Sequence, residues 1–333
     1  MITRTRITTV GVIAAAGLLL ASCSSGSPSG GSEGGAAEGG AGTEELTPIT
    51  VGLLTIAPAA AVQYGVDQGI FEEHGIDLTV ETAQGGSAML PSVSTGAYDF
   101  GVGNPLSVLT AATQDIDMRI VSGYSFSLEE GDDINAVVTR TEDGIESWSD
   151  LEGLTVATNT IKTQGDLTIN EAVELDGGDP SSVEYVEIPF PDALPQLEAG
   201  NADAVWIPEP FLSQALADPD TYSVLGYPNQ AALPGVPTMV TFSSGTIVDG
   251  EPEKLELWRE ALAATLDAAN EDREGYNATI EAFTGMPAEV VEGIGLERLT
   301  ADLDPQVITD LSAMAAKWGF IESEPDLDVV IAP

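Results

Sequence analysis

The sequence predicts an α/β fold in two lobes, and three observations carry that prediction. Short apolar runs alternate with helix-length periodic segments from residue 49 onward. The alternation restarts after Trp148, as if a second unit began there. From Pro252 the chain turns mostly helical. A chain of 333 residues is long enough for two lobes, each with its own core. Two crossovers are expected between them, near residues 139–147 and 233–246. They assign residues 48–140 and 240–333 to one lobe and 141–239 to the other.

Each element has its own local reason. Residues 49–54 form a short apolar strand. Residues 58–73 read as a helix, with Val62, Val66 and Ile70 four apart and Gly75 suited to the stop. Ile76, Leu78 and Val80 alternate as a half-buried strand. Ser87 can cap a short helix through Val93 that Gly96 ends. Strand 99–103 precedes a helix over 105–113, and strands follow at 119–123 and 136–139. In the second unit, strand 154–158, helix 165–175, strand 183–188, helix 193–199 and strand 202–207 succeed one another. Residues 238–242 form a later extended piece. Helices then cover 252–270, 276–283, 288–293 and 305–318, the last opened by Asp304 and Pro305. The repeated strand–helix order argues for mainly parallel sheets.

The first 22 residues read as a targeting signal. Arg4 and Arg6 precede an apolar run over 10–21, which is too short and alanine-rich for a membrane span. The run ends in Leu20-Ala21-Ser22-Cys23, and Cys23 is the only cysteine in the chain. This resembles the bacterial lipobox, whose cysteine is lipidated and becomes the new N-terminus. A Gly/Ser/Ala-rich stretch over 23–47 has no aromatic residue and cannot bury enough apolar surface to offset its ordering entropy. It reads as a flexible tether with a reach on the order of 25–30 Å.

Charge and rare residues exclude whole classes of function. Asp and Glu number 54 against ten Lys and Arg, so the surface repels phosphate backbones and gains nothing from anionic headgroups. A nucleic-acid partner is therefore not expected. One cysteine excludes an intramolecular disulfide, a thiolate zinc site and an iron–sulfur cluster. One histidine, His74, excludes a two-histidine metal site, and its place at a helix end suits a surface role. The acidic run 128–133 reads as a solvated loop. No metal and no cofactor are expected.

Six motifs in order carry a resemblance. They are Gln68-Gly69-Ile70-Phe71-Glu72-Glu73-His74-Gly75-Ile76, then Gly85-Gly86-Ser87-Ala88, then Ser94-Thr95-Gly96-Ala97-Tyr98-Asp99-Phe100-Gly101. Asp150-Leu151-Glu152-Gly153-Leu154-Thr155-Val156-Ala157, the segment 197–205, and Trp206-Ile207-Pro208-Glu209-Pro210-Phe211 complete the set. Together they resemble the binding-protein family of the nitrate/sulfonate/taurine and thiamine-pyrimidine importers. The resemblance implies a two-lobed periplasmic-binding-protein fold (type II) with two hinge crossovers and a helical C-terminal block packed on the first lobe. It implies a lipid-anchored monomer on the extracytoplasmic face of the cell membrane that hands a small molecule to ABC permease subunits. The related pyrimidine synthase of yeast type uses a cysteine cluster and histidines with iron, which this composition cannot supply. An enzyme on the same fold and a surface lipoprotein for sensing or adhesion are the alternative functions.

In open parallel sheets, ligands sit beyond the carboxyl ends of the strands, at helix N-termini. That rule selects Thr55, Ala57, Gly86, Ser87 and Asn104 in the first lobe. In the second it selects Thr158, Asn159, Thr160, Phe190, Asp192, Trp206 and Glu209. Ser87 could equally be a plain N-cap, Trp206 core, and Glu209 a capping charge. Lys162 is the one base on an expected cleft loop, whereas Asp192 and Glu209 would repel a bare anion. The expected ligand is therefore an amino-sulfonate or an aminopyrimidine, with Trp206 or Phe190 stacking on its apolar part.

Overall fold

The computed structural model describes residues 46–333. The signal segment, Cys23 and the tether up to residue 45 lie outside the described residues. The first part of the chain runs β1 (Thr47–Leu54), α1 (Ala60–Asp67), α2 (Ile70–Glu73), β2 (Ile76–Ala83), α3 (Gly86–Ser94), β3 (Phe100–Gly103), α4 (Pro105–Thr113) and β4 (Met118–Phe126). The second part runs β5 (Asn135–Arg140), β6 (Thr155–Thr158), α5 (Gln164–Leu175), β7 (Glu184–Glu187), α6 (Phe190–Glu198), β8 (Ala204–Pro208), α7 (Phe211–Leu216), β9 (Tyr222–Gly226) and α8 (Pro228–Ala232). The chain then returns through β10 (Pro237–Ser244), α9 (Gly245–Gly250), α10 (Pro252–Glu271), α11 (Arg273–Thr284), α12 (Ala288–Val291), β11 (Arg298–Leu299), α13 (Pro305–Lys317) and α14 (Leu327–Val330).

Two sheets result, ordered β11-β4-β10-β3-β1-β2 and β7-β6-β8-β5-β9. Strands β1 to β3 are parallel, and β10 is inserted antiparallel between β3 and β4. In the second sheet β6, β7 and β8 are parallel, with β5 antiparallel between β8 and β9. Each lobe is thus an α/β layer whose one long antiparallel strand is the one by which the chain enters from the other lobe.

The lobe boundary differs from the expected one. Residues 135–140 belong to the second sheet, so the first crossing spans 127–134 and the second 227–236. An apolar run such as 136–139 fits either sheet, and only its pairing with β8 and β9 decides between them. The acidic run was expected to be wholly solvated, but Asp133 is buried. Its carboxylate accepts from Ser127 Oγ, from Ile134 N at 2.9 Å and from Leu128 N at 3.4 Å. It stitches the first crossing to itself, and Ser127 N donates to Val236 O on the second at 2.9 Å. The helix expected over 58–73 is broken at Gly69, whose φ of 76° is a left-handed conformation that costs glycine little.

The C-terminal block seals the first lobe. Trp258 of α10 is fully buried and stacks on Phe100 (centroids 4.6 Å apart) and Phe71 (5.9 Å). The scarce cations are spent on internal joints. Lys254 pairs with Asp99 and Glu251, Arg140 with Asp143 and Asp203, and Arg119 with Asp117. Arg259 donates to the carbonyls of Val121, Ala332 and Pro333, and Arg273 to that of Ile294. Arg298 lies over the Phe126 ring. Lys317 at the end of α13 and Trp318 just after it reach across to Glu171 on α5 of the second lobe, and Lys317 also to Glu174. Among the described residues no helix is long and apolar enough to cross a membrane.

Truncating Trp258 to Ala empties the largest of the fully buried side-chain sites. Thermal or urea unfolding of Trp258→Ala should show a loss of about 3–5 kcal/mol. A loss below about 1 kcal/mol would mean that α10 is not anchored by this stack.

Candidate functional site

The carboxyl ends of the parallel strands in both sheets, and the amino ends of β5 and β10, converge on one pocket of about 60 Å³. That is room for a handful of water-sized groups, the scale of a small metabolite. From the first lobe come Leu54 and Ile56 after β1, Gly86 and Ser87 at the start of α3, and Gly103, Asn104 and Ser107 at the β3–α4 turn. From the second come Asn159, Thr160, Thr163 and Gln164 between β6 and α5, with Phe190, Trp206, Pro208 and Asn229. Ile134, Asn135, Thr238, Met239 and Glu297 line the side nearest the two crossings.

Close backbone approach builds the first-lobe wall. A Cβ at Gly103 would stand 2.9 Å from Gly86 Cα, and one at Gly86 would stand 3.0 Å from Asn104 N. Only two glycines allow α3 to begin against the β3–α4 turn. Its N-terminal partial positive charge therefore lies on the pocket wall. Asn104 caps α4 by accepting from Leu106 N at 2.9 Å and donates across the pocket to Gln164 Oε1 at 2.7 Å. Gln164 Nε2 in turn donates to Asn229 Oδ1 at 3.5 Å. This polarised chain of amides ends on Asn229 Nδ2, a buried donor with no partner in the protein. Trp206 Nε1 on the same lobe and Ser107 Oγ on the first-lobe side of the pocket also have none. Trp206 packs so closely on α5 that a Cβ at Gly165 would lie 2.8 Å from its ring, and Phe190 sits 5.9 Å away by centroid.

One charged side chain lines this wall among the described residues, and it is acidic. Glu297 is 5% exposed, and it accepts from Asn135 Nδ2 at 2.8 Å and from Thr238 Oγ1 at 2.7 Å. Burial, with Asp133 adding repulsion, pushes its carboxyl up to about 7 against the donors from Ser125, Thr238 and Asn135. No group of three or more His, Cys, Asp or Glu among the described residues is placed to hold a metal.

Of the residues selected from sequence, Gly86, Ser87, Asn104, Asn159, Thr160, Phe190 and Trp206 meet at the pocket. Five do not. Thr55 is exposed beyond β1, and Asp192 is exposed in the first turn of α6. Ala57 is buried with its carbonyl accepting from Tyr276 Oη at 3.0 Å. Thr158 is buried at the end of β6 and donates to Thr160 O at 3.2 Å. Glu209 is buried and turned away, accepting from Ser213 N and Ser213 Oγ, both at 2.9 Å, as an end cap of α7. Lys162 is exposed and off the wall. Sequence reasoning missed Gln164, Asn229, Asn135, Thr238 and Glu297. A search of the amino ends of the antiparallel strands would have found Asn135 and Thr238, but no local signal marks Glu297.

Two α/β lobes joined by paired crossings over a shared pocket define the class of two-lobed binding proteins. The family model described as NMT1/THI5 like matches residues 59–274, and the chain belongs to that family. No curated protein sequence matches it. The fold is similar to that of the alkanesulfonate-binding protein SsuA from Xanthomonas axonopodis pv. citri bound to MOPS. The TM-score is 0.71 at 17% identity, covering 86% of this chain and 97% of that one. The periplasmic aliphatic sulphonate binding protein SsuA from Escherichia coli gives 0.71 at 15% identity, with the same shares covered. The periplasmic nitrate-binding protein NrtA from Synechocystis PCC 6803 gives 0.71 at 13% identity, covering 86% of each chain.

Glu209→Gln keeps the shape of the cap and loses a charge whose side chain is not on the pocket wall. The variant should lose less than about 1 kcal/mol of stability and bind any ligand as the parent does. A tenfold loss of affinity by titration calorimetry would return Glu209 to the site.

Proposed function

We propose that this chain is the extracytoplasmic, lipid-anchored solute-binding component of an ABC importer. It captures a small molecule between its lobes, performs no chemistry on it, and presents it to the permease subunits. The observation that carries this reading is a pocket walled by both lobes on which Ser107, Trp206 and Asn229 hold buried polar atoms that nothing in the protein satisfies. Leaving such groups unpaired costs roughly 1–3 kcal/mol each, a cost that a bound solute would offset. Membership of the family and the likeness to sulfonate- and nitrate-binding proteins support the same class of role. An amino-sulfonate or an aminopyrimidine suits the wall. The acid that favours such a ligand is Glu297 rather than Asp192 or Glu209.

The decisive screen is thermal shift with taurine, alkanesulfonates, nitrate, thiamine and its pyrimidine. A ligand that binds only the folded chain raises its melting temperature. Lobes that meet through Asn104–Gln164 and Lys317–Glu171 should separate when the pocket is vacant. Small-angle scattering should therefore give a smaller radius of gyration with the stabilising ligand than without it. An unchanged radius at saturation would argue against closure. For the anchor, Cys23→Ala should move the protein from the membrane fraction to the medium or leave an unprocessed precursor. A variant that stays membrane-bound with a normal cut would remove the lipid anchor from this reading.

A further inference from the structure

We infer that Glu297 sets the specificity of the pocket. Its carboxylate, held by Asn135 and Thr238, receives an amine, amidine or aminopyrimidine nitrogen, while the donors of Trp206 and Asn229 receive an acceptor at the ligand's other end. This rests on the capture reading above and narrows it to small molecules with a nitrogen donor at one end and an acceptor at the other.

Among the described residues the pocket wall has no Lys, Arg or His, and its one formal charge is Glu297. A bare anion would enter a site with an acid on the wall and no cation to pair with, where desolvation makes each charge count more. Asn135 donates to Glu297 Oε1 and Thr238 to Oε2, so the carboxylate is oriented and retains accepting capacity. The Asn104–Gln164–Asn229 chain, which crosses from the first lobe to the second, fixes each amide's direction and leaves Asn229 Nδ2 as a donor on the second lobe, joined by Trp206 Nε1. Donors on one wall and an acceptor on another fit a ligand with the opposite arrangement. Glu297 also lies outside the segment 59–274 that the family model matches, so this recognition belongs to the chain's own C-terminal block.

The neighbours of Glu297 do not neutralise it. Asp133 on the first crossing adds negative charge, and Tyr124 of β4 and Tyr276 of α11 are buried phenols beside it. Arg273 of α11 donates to Ile294 O, and Arg298, next in the chain, lies over Phe126. A cationic nitrogen would therefore be the partner that makes the ionised form favourable, and below about pH 7 its arrival should expel a proton from Glu297. In the free chain the sign is opposite. The carboxyl is raised from its ordinary 4.5 to about 7, so the folded state holds the extra proton and stability falls as pH rises across that window.

The test uses the full chain and paired probes alike except for the nitrogen group. These are taurine with ethanesulfonate, 4-amino-5-hydroxymethyl-2-methylpyrimidine with its 4-hydroxy counterpart, and benzamidine with benzoate. A nitrogen-bearing member should raise the melting temperature where its counterpart does not. Its calorimetric enthalpy at pH 6 should depend on the buffer's heat of ionisation. Glu297→Gln should weaken that probe about 10- to 150-fold, the range for losing a hydrogen bond to a charged group. It should also flatten the fall of stability between about pH 4.5 and 7. Thr238→Val leaves the acid in place, removes one of its donors, and should weaken the same probe less. Counterparts that bind as well as the nitrogen-bearing probes would overturn the inference, as would full affinity in Glu297→Gln. A chain that no solute in a wider set of anions, sugars and amino acids stabilises would overturn the capture reading itself.

Discussion

Everything at the site depends on one antiparallel insertion, β10 between β3 and β4. The second sheet is built from residues 135–226, and the chain must return from it to finish the first. Placing the return strand in the middle of the first sheet ties the crossings together. It also brings Thr238 and Met239 at its start to the mouths of the parallel strands. The crossings lie side by side, held by the Ser127–Val236 hydrogen bond, while the Asp133 stitch braces the first of them. A return strand added at an edge instead would still complete a sheet, but it would not put its first residues beside Asn135 and Glu297.

The pocket then follows from strand polarity. Parallel strands point their carboxyl ends, and the helices that follow point their amino ends, toward the same gap. That arrangement supplies donors from α3, Asn229 and Trp206, and it would suit an anion if nothing else were present. Glu297 changes the balance, because it comes from the C-terminal block and not from the strand–helix units. Asn135 and Thr238 hold the carboxylate without neutralising it. The site is therefore asymmetric in charge and in origin, with repeated units supplying one kind of group and the late-added block supplying the other.

Much of this was legible in the sequence, and the failures have physical causes. Gly86, Asn104 and Asn159 follow parallel strands and Trp206 lies toward the carboxyl end of one, so the strand-end rule reaches them. Glu209 obeys the same rule but faces its own helix, because an acid ahead of a helix can cap it or meet a ligand with identical local sequence. Thr55 and Asp192 failed because a turn decides which side of a loop meets solvent, and the periodicity of a strand carries no information about that. Gln164 and Asn229 are ordinary residues at helix starts and gain meaning only through each other and Asn104. The boundary at residue 140 moved because strand membership depends on pairing between segments tens of residues apart. Asp133 sat inside an acidic run, and no pattern in that run distinguishes the one buried member.

The placement of the few cations has a consequence for how the molecule meets others. Seven of the eight basic side chains in residues 46–333 are engaged within the chain, by carboxylates, by backbone carbonyls or by the face of Phe126. The long-range field that an approaching partner feels is accordingly negative over most of the exterior, with few positive counterpoints to orient it. A docking partner must bring basic groups of its own, and the encounter will be faster in dilute salt than at high ionic strength, where the field is screened within about 10 Å. Two copies of the chain repel one another by the same field.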